Sequence, residues 1–333
     1  MKKTLLIAIV LLIGSACLPL YSKKIALPNI LEPSHIKANG SQMYIADKGR
    51  IILYSMDNFK PVREFGKNGE GPGEYQSIID LSILPDYLVV SSSRKVIYFS
   101  RNGDYIKEFR IKQLLGYFFY PIGNHFVGLY PKKTKAERGY SRVISIFDQN
   151  MNPLKILVES PREQAKKTPS GRPVINPISH YFKHKVYGDL VFVADSRKGM
   201  NVEVFNAEGK KLNEIRVPYQ KIKITENDKE NCIREIKNDK SSLFRSYAQK
   251  AKFEFDEFYP PFYDFYVNNN KIYFYTYHKQ AEKREIMVID FKGKILETVW
   301  VPFSKIKTID SDVYYYLQDN VESEEWELFI QKL

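Results

Sequence analysis

Apolar positions in this chain alternate with polar ones over short runs, and the runs come in sets of three with a polar turn before the last. Met43–Ala46, Arg50–Tyr54, the turn at Asp57-Asn58 and Val62–Phe65 form the first set. The order returns at Tyr87–Val90, Lys95–Phe99, Arg101-Asn102-Gly103 and Tyr105–Ile111. A third copy is Phe126–Tyr130, Arg142–Phe147, Asp148-Gln149-Asn150 and Leu154–Val158. A fourth is Leu190–Ala194, Asn201–Phe205, Asn206–Gly209 and Leu212–Val217, and a fifth is Lys271–Tyr277, Glu285–Ile289, Asp290–Gly293 and Ile295–Val301. Period-two alternation joined to Asn/Asp/Gly turns predicts antiparallel hairpins. Another short strand precedes each copy, at His35–Ala38, Ile78–Ile83, Tyr117–Ile122, Tyr181–Val186 and Tyr263–Val267. Each unit therefore has four strands.

The turns fall roughly 45–60 residues apart over the first four units, near the spacing of propeller blades. A sixth unit begins at Ile306–Ile309, continues through Val313–Leu317 and Trp326–Ile330, and stops one strand short. Lys24–Ile30 can supply that strand and remove the last open edge. The predicted fold is all-β: a six-bladed β-propeller over residues 23–333, with a helical insertion between blades four and five at about 218–262. Thr225 and Asp228 there resemble a capping box. Ile233, Ile236, Leu243, Phe244, Tyr247 and Ala251 follow at helical spacing, which predicts one or two amphipathic helices over roughly 226–252, their apolar stripe against the propeller face. Lys132–Gly139 reads as a solvated hairpin tip, and the proline-bearing stretch Glu159–Pro177 as an irregular loop.

The segment Phe65–Tyr75, FGKNGEGPGEY, holds four glycines and one proline. It lacks the Gly-Lys-Ser/Thr of a phosphate loop, and strand-like sequence follows it where such a loop needs a helix. Together with Tyr44-Ile45-Ala46-Asp47 followed by Arg50-Ile51, and with the strand count, this segment resembles the bacterial six-bladed propellers related to NHL-repeat and TolB-like proteins. It is similar to their first inter-blade connection, and the resemblance spans nearly all of residues 25–333. What it implies is the fold; propellers host enzymes, ligand binders and scaffolds alike. It also implies a rival to a binding role: a metal-assisted hydrolase or lyase whose channel metal, such as calcium, is held by Glu, Asn, Asp or His from several blades. No local motif marks such a set, and no cofactor is indicated.

Composition narrows the partners. The aromatic share of 14%, with 24 Tyr and 21 Phe, suits strands with one wet face. The formal charge of +12 is spread along the chain among many acids, unlike the concentrated stripe of a nucleic-acid groove. Residues 1–22 have the form of an export signal, with Lys2-Lys3, the apolar run Leu5–Ile13 and small residues Gly14-Ser15-Ala16. Two processing routes are open: lipidation of Cys17 after a signal ending at residue 16, or cleavage after Ser22 to release a soluble protein. The expected location is the periplasm or cell envelope, with membrane contact only through such an anchor, and the expected state is a monomer. Cys17 and Cys232 are the two cysteines, so no disulfide framework forms.

Candidate chemistry is sparse. No Gly-x-Ser-x-Gly elbow occurs. On a strand, His180 and His184 share a face but stand about 13 Å apart, too far for one metal ion. His35 and His180 begin inner strands and are candidates to approach the axis. Asp47 and Asp195 recur in two blades as Tyr-Ile-Ala-Asp and Phe-Val-Ala-Asp, which points to turn capping. Phe253–Tyr266 mixes aromatics, acids and Pro260-Pro261. That composition suits sugar or peptide binding, and equally the anchoring of the inserted helix. The expected role is a non-enzymatic binding or scaffold module for a peptide, protein or glycan. Its site is expected on the face bearing the inter-blade loops and the insertion, with His35, Tyr75, His180, Tyr259 and Tyr263 as candidate ligand-binding residues.

Overall fold

The computed structural model describes residues 22–111, 117–134, 140–161, 166–238 and 249–333. Six four-stranded antiparallel sheets form the blades. Their inner strands are Pro33–Asn39, Ile78–Ile83, Tyr117–Ile122, Phe182–Tyr187, Asp264–Asn268 and Lys307–Asp310. Each of the first five blades is built from consecutive strands. Blade six takes Lys307–Asp310, Val313–Asn320 and Glu325–Lys332 from the C-terminus and Ser22–Leu27 as its outermost strand. The closing register runs from Ser22↔Gln331 to Leu27↔Trp326. This is the closure expected from the missing strand of the sixth repeat, and it leaves the ring without an open seam.

Local chemistry explains the repetition. In each of the first five blades the outermost strand carries one extra residue just after the turn, Val62, Ile106, Leu154, Leu212 and Leu296, which faces the third strand between Leu53/Tyr54, Tyr98/Phe99, Ile146/Phe147, Val204/Phe205 and Val288/Ile289. The turn itself is held by a side-chain oxygen. Asp290 Oδ1 accepts from the Lys292 and Lys294 amides at 2.9 Å each, and Asp148 Oδ1 accepts from Asn150 and Asn152 at 2.9 and 2.7 Å. Such bulges increase strand twist, as strands radiating from an axis require. Six buried apolar clusters fill the six blade interfaces, for example Phe192, Val202, Phe265 and Phe274 between blades four and five.

The glycine segment is the connection between blades one and two. Lys67–Asn68 pairs in parallel with Glu74–Tyr75. The Glu74 carboxylate accepts the Gly71 amide at 2.9 Å, and Lys95 Nζ donates to the Glu70 and Gly71 carbonyls at 2.8 and 2.7 Å. The loop thus holds a carboxylate of its own. Gly66 has φ +68, and a Cβ there would lie 2.6 Å from Tyr75 Oη. Asp47 and Asp195 do the capping work anticipated for them. Asp47 Oδ1 takes the Leu31 and Glu32 amides at 2.9 and 2.6 Å, and Asp195 Oδ1 takes the Arg197 amide at 3.1 Å.

Helix α1, Glu226–Lys237, starts at Thr225 with the full capping box to Asp228. Its inward side chains, including Cys232, Ile233 and Ile236, are half-buried, and none is fully covered. Leu243, Phe244 and Tyr247 lie outside the described residues. Lys252, the last residue of the predicted helical span, is instead extended: Lys252–Phe253 pairs in parallel with Val174–Ile175. That pairing joins the insertion to the proline-bearing loop before blade four, because the backbone groups of both segments satisfy one another there.

Candidate functional site

The inner strands project alternate residues into the blade cores and toward the axis. Polar groups from all six blades meet there. Lys37 of blade one lies 3.4 Å from Asp80 of blade two, and the Tyr120 hydroxyl of blade three donates to Asp80 Oδ2 at 2.6 Å. Lys185 of blade four stands over the ring of Tyr266 of blade five at 4.8 Å, and Lys37 Nζ lies 5.4 Å from the centre of the same ring. The Tyr266 hydroxyl donates to the Lys307 carbonyl of blade six at 3.0 Å. A ring touched from blades one and four lies across the axis.

Two residues earlier on these strands, one step of about 7 Å, stands a second polar layer: His35, Lys183 and Asp264. Asp264 Oδ1 accepts from Tyr181 Oη at 2.8 Å. Lys183 Nζ lies 4.7 and 5.2 Å from the centres of the Phe118 and Tyr181 rings. Lys307 Nζ, 4.8 Å from the Tyr275 ring, donates to the Ser304 carbonyl at 3.0 Å. No described carboxylate comes within 4.0 Å of the Lys183 or Lys185 ammonium. Across both layers, four lysines (37, 183, 185 and 307) face two aspartates (80 and 264).

Burial and charge act against each other here. Burial pushes the Asp80 carboxyl up, but Lys37, Lys185 and the Tyr120 hydroxyl overcome it and hold the group well below the usual carboxylate range. Asp264 is lowered in the same way by Lys185, Lys307 and Lys183 against its burial. Burial lowers Lys37, Lys183 and Lys307, only partly offset by the aspartates. His35 is also lowered by burial; its Nε2 donates to the Ile79 carbonyl at 2.9 Å. Burial thus favours the neutral ring, against the pull of Asp80 towards the charged one.

Lys37, Asp80, Tyr120, Lys185 and Tyr266 form the floor of a cavity of about 870 Å³. Its walls include the first hairpin turn of each of several blades, such as Gly123-Asn124 and Gly188-Asp189. The mouth therefore opens on the face opposite the inter-blade loops, whereas the sequence points to the inter-blade face.

The residues singled out in the sequence are dispersed. His35 lies on the axis, one step beyond the cavity floor. His180 meets Ser196 Oγ at 3.2 Å. Tyr75 is 1% exposed and belongs to the core between blades one and two. Tyr259 and Tyr263 do come together, on the inter-blade side. Tyr259 stacks on Tyr277 with centroids 4.4 Å apart, and Tyr263 meets Tyr277 edge-on at 5.3 Å. Burial, reinforced by Asp228 of α1, pushes the Tyr259 hydroxyl upward, and Lys279 of blade five reaches the same Asp228 at 3.3 Å. This cluster anchors the helix to blade five. Cys17 lies outside the described residues.

The donor set does not fit a resident channel metal. Among the described residues no three His, Cys, Asp or Glu side chains converge to hold one. The two axial carboxylates are instead engaged by tyrosines and flanked by lysines.

Fold and site define a six-bladed β-propeller with a polar, cation-rich axis. The chain belongs to the DUF5128 family, described as a 6-bladed beta-propeller, which it matches over residues 28–259. No curated protein matches it. It is similar, at 10% identity and a TM-score of 0.49 over 93% of this chain and 97% of the other, to a crystal structure of a DUF4221-family member from Bacteroides vulgatus. A second similarity, at 13% identity and a TM-score of 0.42 over 94% of this chain and 100% of the other, is to the Cps50 (Swd1) β-propeller domain of Myceliophteria thermophila.

Proposed function

We propose that this propeller is an exported, non-enzymatic binding module of the cell envelope, which takes up part of a peptide, protein partner or glycan in its axial cavity. The observation that carries the reading is the cavity floor, where two lysines, an aspartate and two tyrosines from five blades converge. A concave site with a few convergent polar groups is what ligand recognition requires. The resemblance to NHL-repeat and TolB-like propellers, and the form of residues 1–22, support the envelope setting.

Topology adds a consequence for the lipid-anchored form. Ser22 pairs with Gln331, and Leu333 donates its amide to the Asp312 carbonyl at 2.8 Å, so the closing strand starts at the face where the cavity opens. Cys17 precedes Ser22 by five residues, a reach of at most about 18 Å when fully extended. Acylation of Cys17 would hold the cavity mouth toward the bilayer.

The test is a plug. Ser82→Trp fills the cavity from blade two's inner strand. Peptides and glycans that raise the melting temperature of the native protein should lose that effect in the variant, whose own unfolding stays cooperative. A ligand that stabilises both proteins equally would remove the axial site.

A further inference from the structure

We propose that the axial cavity recognises an acidic sugar, one to a few residues long, whose carboxylate docks between Lys37 and Lys185; this rests on the reading that the cavity is the ligand site. The floor carries two ammonium groups and one carboxylate. Asp80 is already saturated: Oδ1 takes the Leu81 amide at 2.8 Å and lies 3.4 Å from Lys37 Nζ, while Oδ2 takes the Tyr120 hydroxyl. Lys185 has no carboxylate partner among the described residues and rests on the Tyr266 ring. The next layer does not cancel this charge, since Asp264 there faces Lys185, Lys307 and Lys183 together, and the two layers carry four lysines against two aspartates. The walls add Lys107, Asp189 and Asp310, so the surplus positive charge is confined to the floor, where a single negative group of the ligand can pair with it. Lysines act as point charges, and no arginine lines the cavity to supply the planar fork that favours phosphate.

The walls indicate what carries the carboxylate. Tyr87, Tyr98 and Phe109 form an edge-to-face row with centroids 5.7 and 5.8 Å apart, and Lys107 Nζ lies 5.0 Å from the centre of the Tyr98 ring. The side chains of Asn39, Ser82 and Asn124 also line the cavity and make no hydrogen bond among the described residues. Aromatic faces beside free amides and hydroxyls suit the apolar faces and hydroxyl edges of a sugar ring.

The experiment is calorimetric titration of the mature protein with a galacturonic acid trimer, the neutral galactose trimer and pentaglutamate. The acidic trimer should bind saturably and at least tenfold more tightly than the neutral one. Lys185→Met, which keeps the contact with Tyr266 and removes the charge, should weaken the acidic trimer roughly 10- to 100-fold, the range of a hydrogen bond to a charged group. It should leave the neutral trimer unchanged, and Lys185→Arg should recover most of the loss. Equal binding of both trimers, or an acidic trimer indifferent to Lys185→Met, would overturn the inference while leaving the cavity as a binding site. Tighter binding of pentaglutamate would overturn the sugar assignment and favour a peptide. If none of the three binds, the inference fails, and the Ser82→Trp comparison decides the broader reading separately.

Discussion

His184 makes the fold sensitive to acid through a mechanism that can be isolated. Its ring is 2% exposed on blade four's inner strand, edge-on to Tyr120 with centroids 5.1 Å apart. Burial, with the charge of Lys185 acting in the same direction, lowers its pKa from 6.5 to about 3. Above pH 6.5 the ring is neutral in both folded and unfolded chains and contributes no pH dependence. Below 6.5 the unfolded chain gains a proton that the folded chain refuses, so stability falls with pH until the folded ring protonates near 3. The limiting slope is about 1.4 kcal/mol per pH unit. Integrated from pH 7 to pH 5, the loss is about 1.9 kcal/mol. His184→Phe removes the titration and keeps a ring against Tyr120. In urea unfolding at pH 7, 6 and 5, the native protein should lose about 2 kcal/mol more than the variant over that interval. His35, also lowered by burial, contributes with the same sign in both proteins and cancels in the comparison. Asp80 is held below its usual range, so its stabilisation is lost only at pH values below about 4. Equal pH slopes in the two proteins would refute the claim that His184 is buried as a neutral ring.

Three further outcomes follow from the packing and the topology. Gly66→Ala combines a left-handed backbone with a Cβ 2.6 Å from Tyr75 Oη and should cost about 2–3 kcal/mol. Gly40→Ala, with φ +59 and nothing within 4 Å, should cost only about 1 kcal/mol; thermal unfolding of the pair reads the difference. Leu27→Ala, at a 1% exposed position of the closing strand, should cost about 2–5 kcal/mol. Hydrogen exchange in that variant should rise first at residues 326–331, the partners of that strand. In the native host, Cys17→Ser should abolish acyl labelling and membrane retention, and unchanged fractionation would leave the soluble route.

The blade plan was readable because it is local. A period of two, a turn residue and a bulge recur every few tens of residues, and each is decided by neighbours in sequence. Closure by Ser22–Leu27 was readable because the sixth repeat ended one strand short. The axial site was not readable in the same way. Lys37, Asp80, Tyr120, Lys185 and Tyr266 are separated by irregular intervals, since loops and an insertion of different lengths divide the blades. The available signal was charge within otherwise apolar inner strands, as in Asp80 and in Lys183-His184-Lys185. Such residues are costly to bury unless they face a shared polar axis. The joining of Lys252–Phe253 to Val174–Ile175 was hidden because two-residue strands leave no periodicity. Tyr75 drew attention through its glycine-rich surroundings, yet those glycines admit its ring into the core.

A structure of the protein with a bound ligand would test the central claim most directly. Density is expected in the axial cavity, with an acidic group between the ammonium groups of Lys37 and Lys185 and the body of the ligand toward Tyr98. A ligand seated instead on the Tyr259–Tyr277 stack beside α1, with the axial cavity unoccupied, would contradict it.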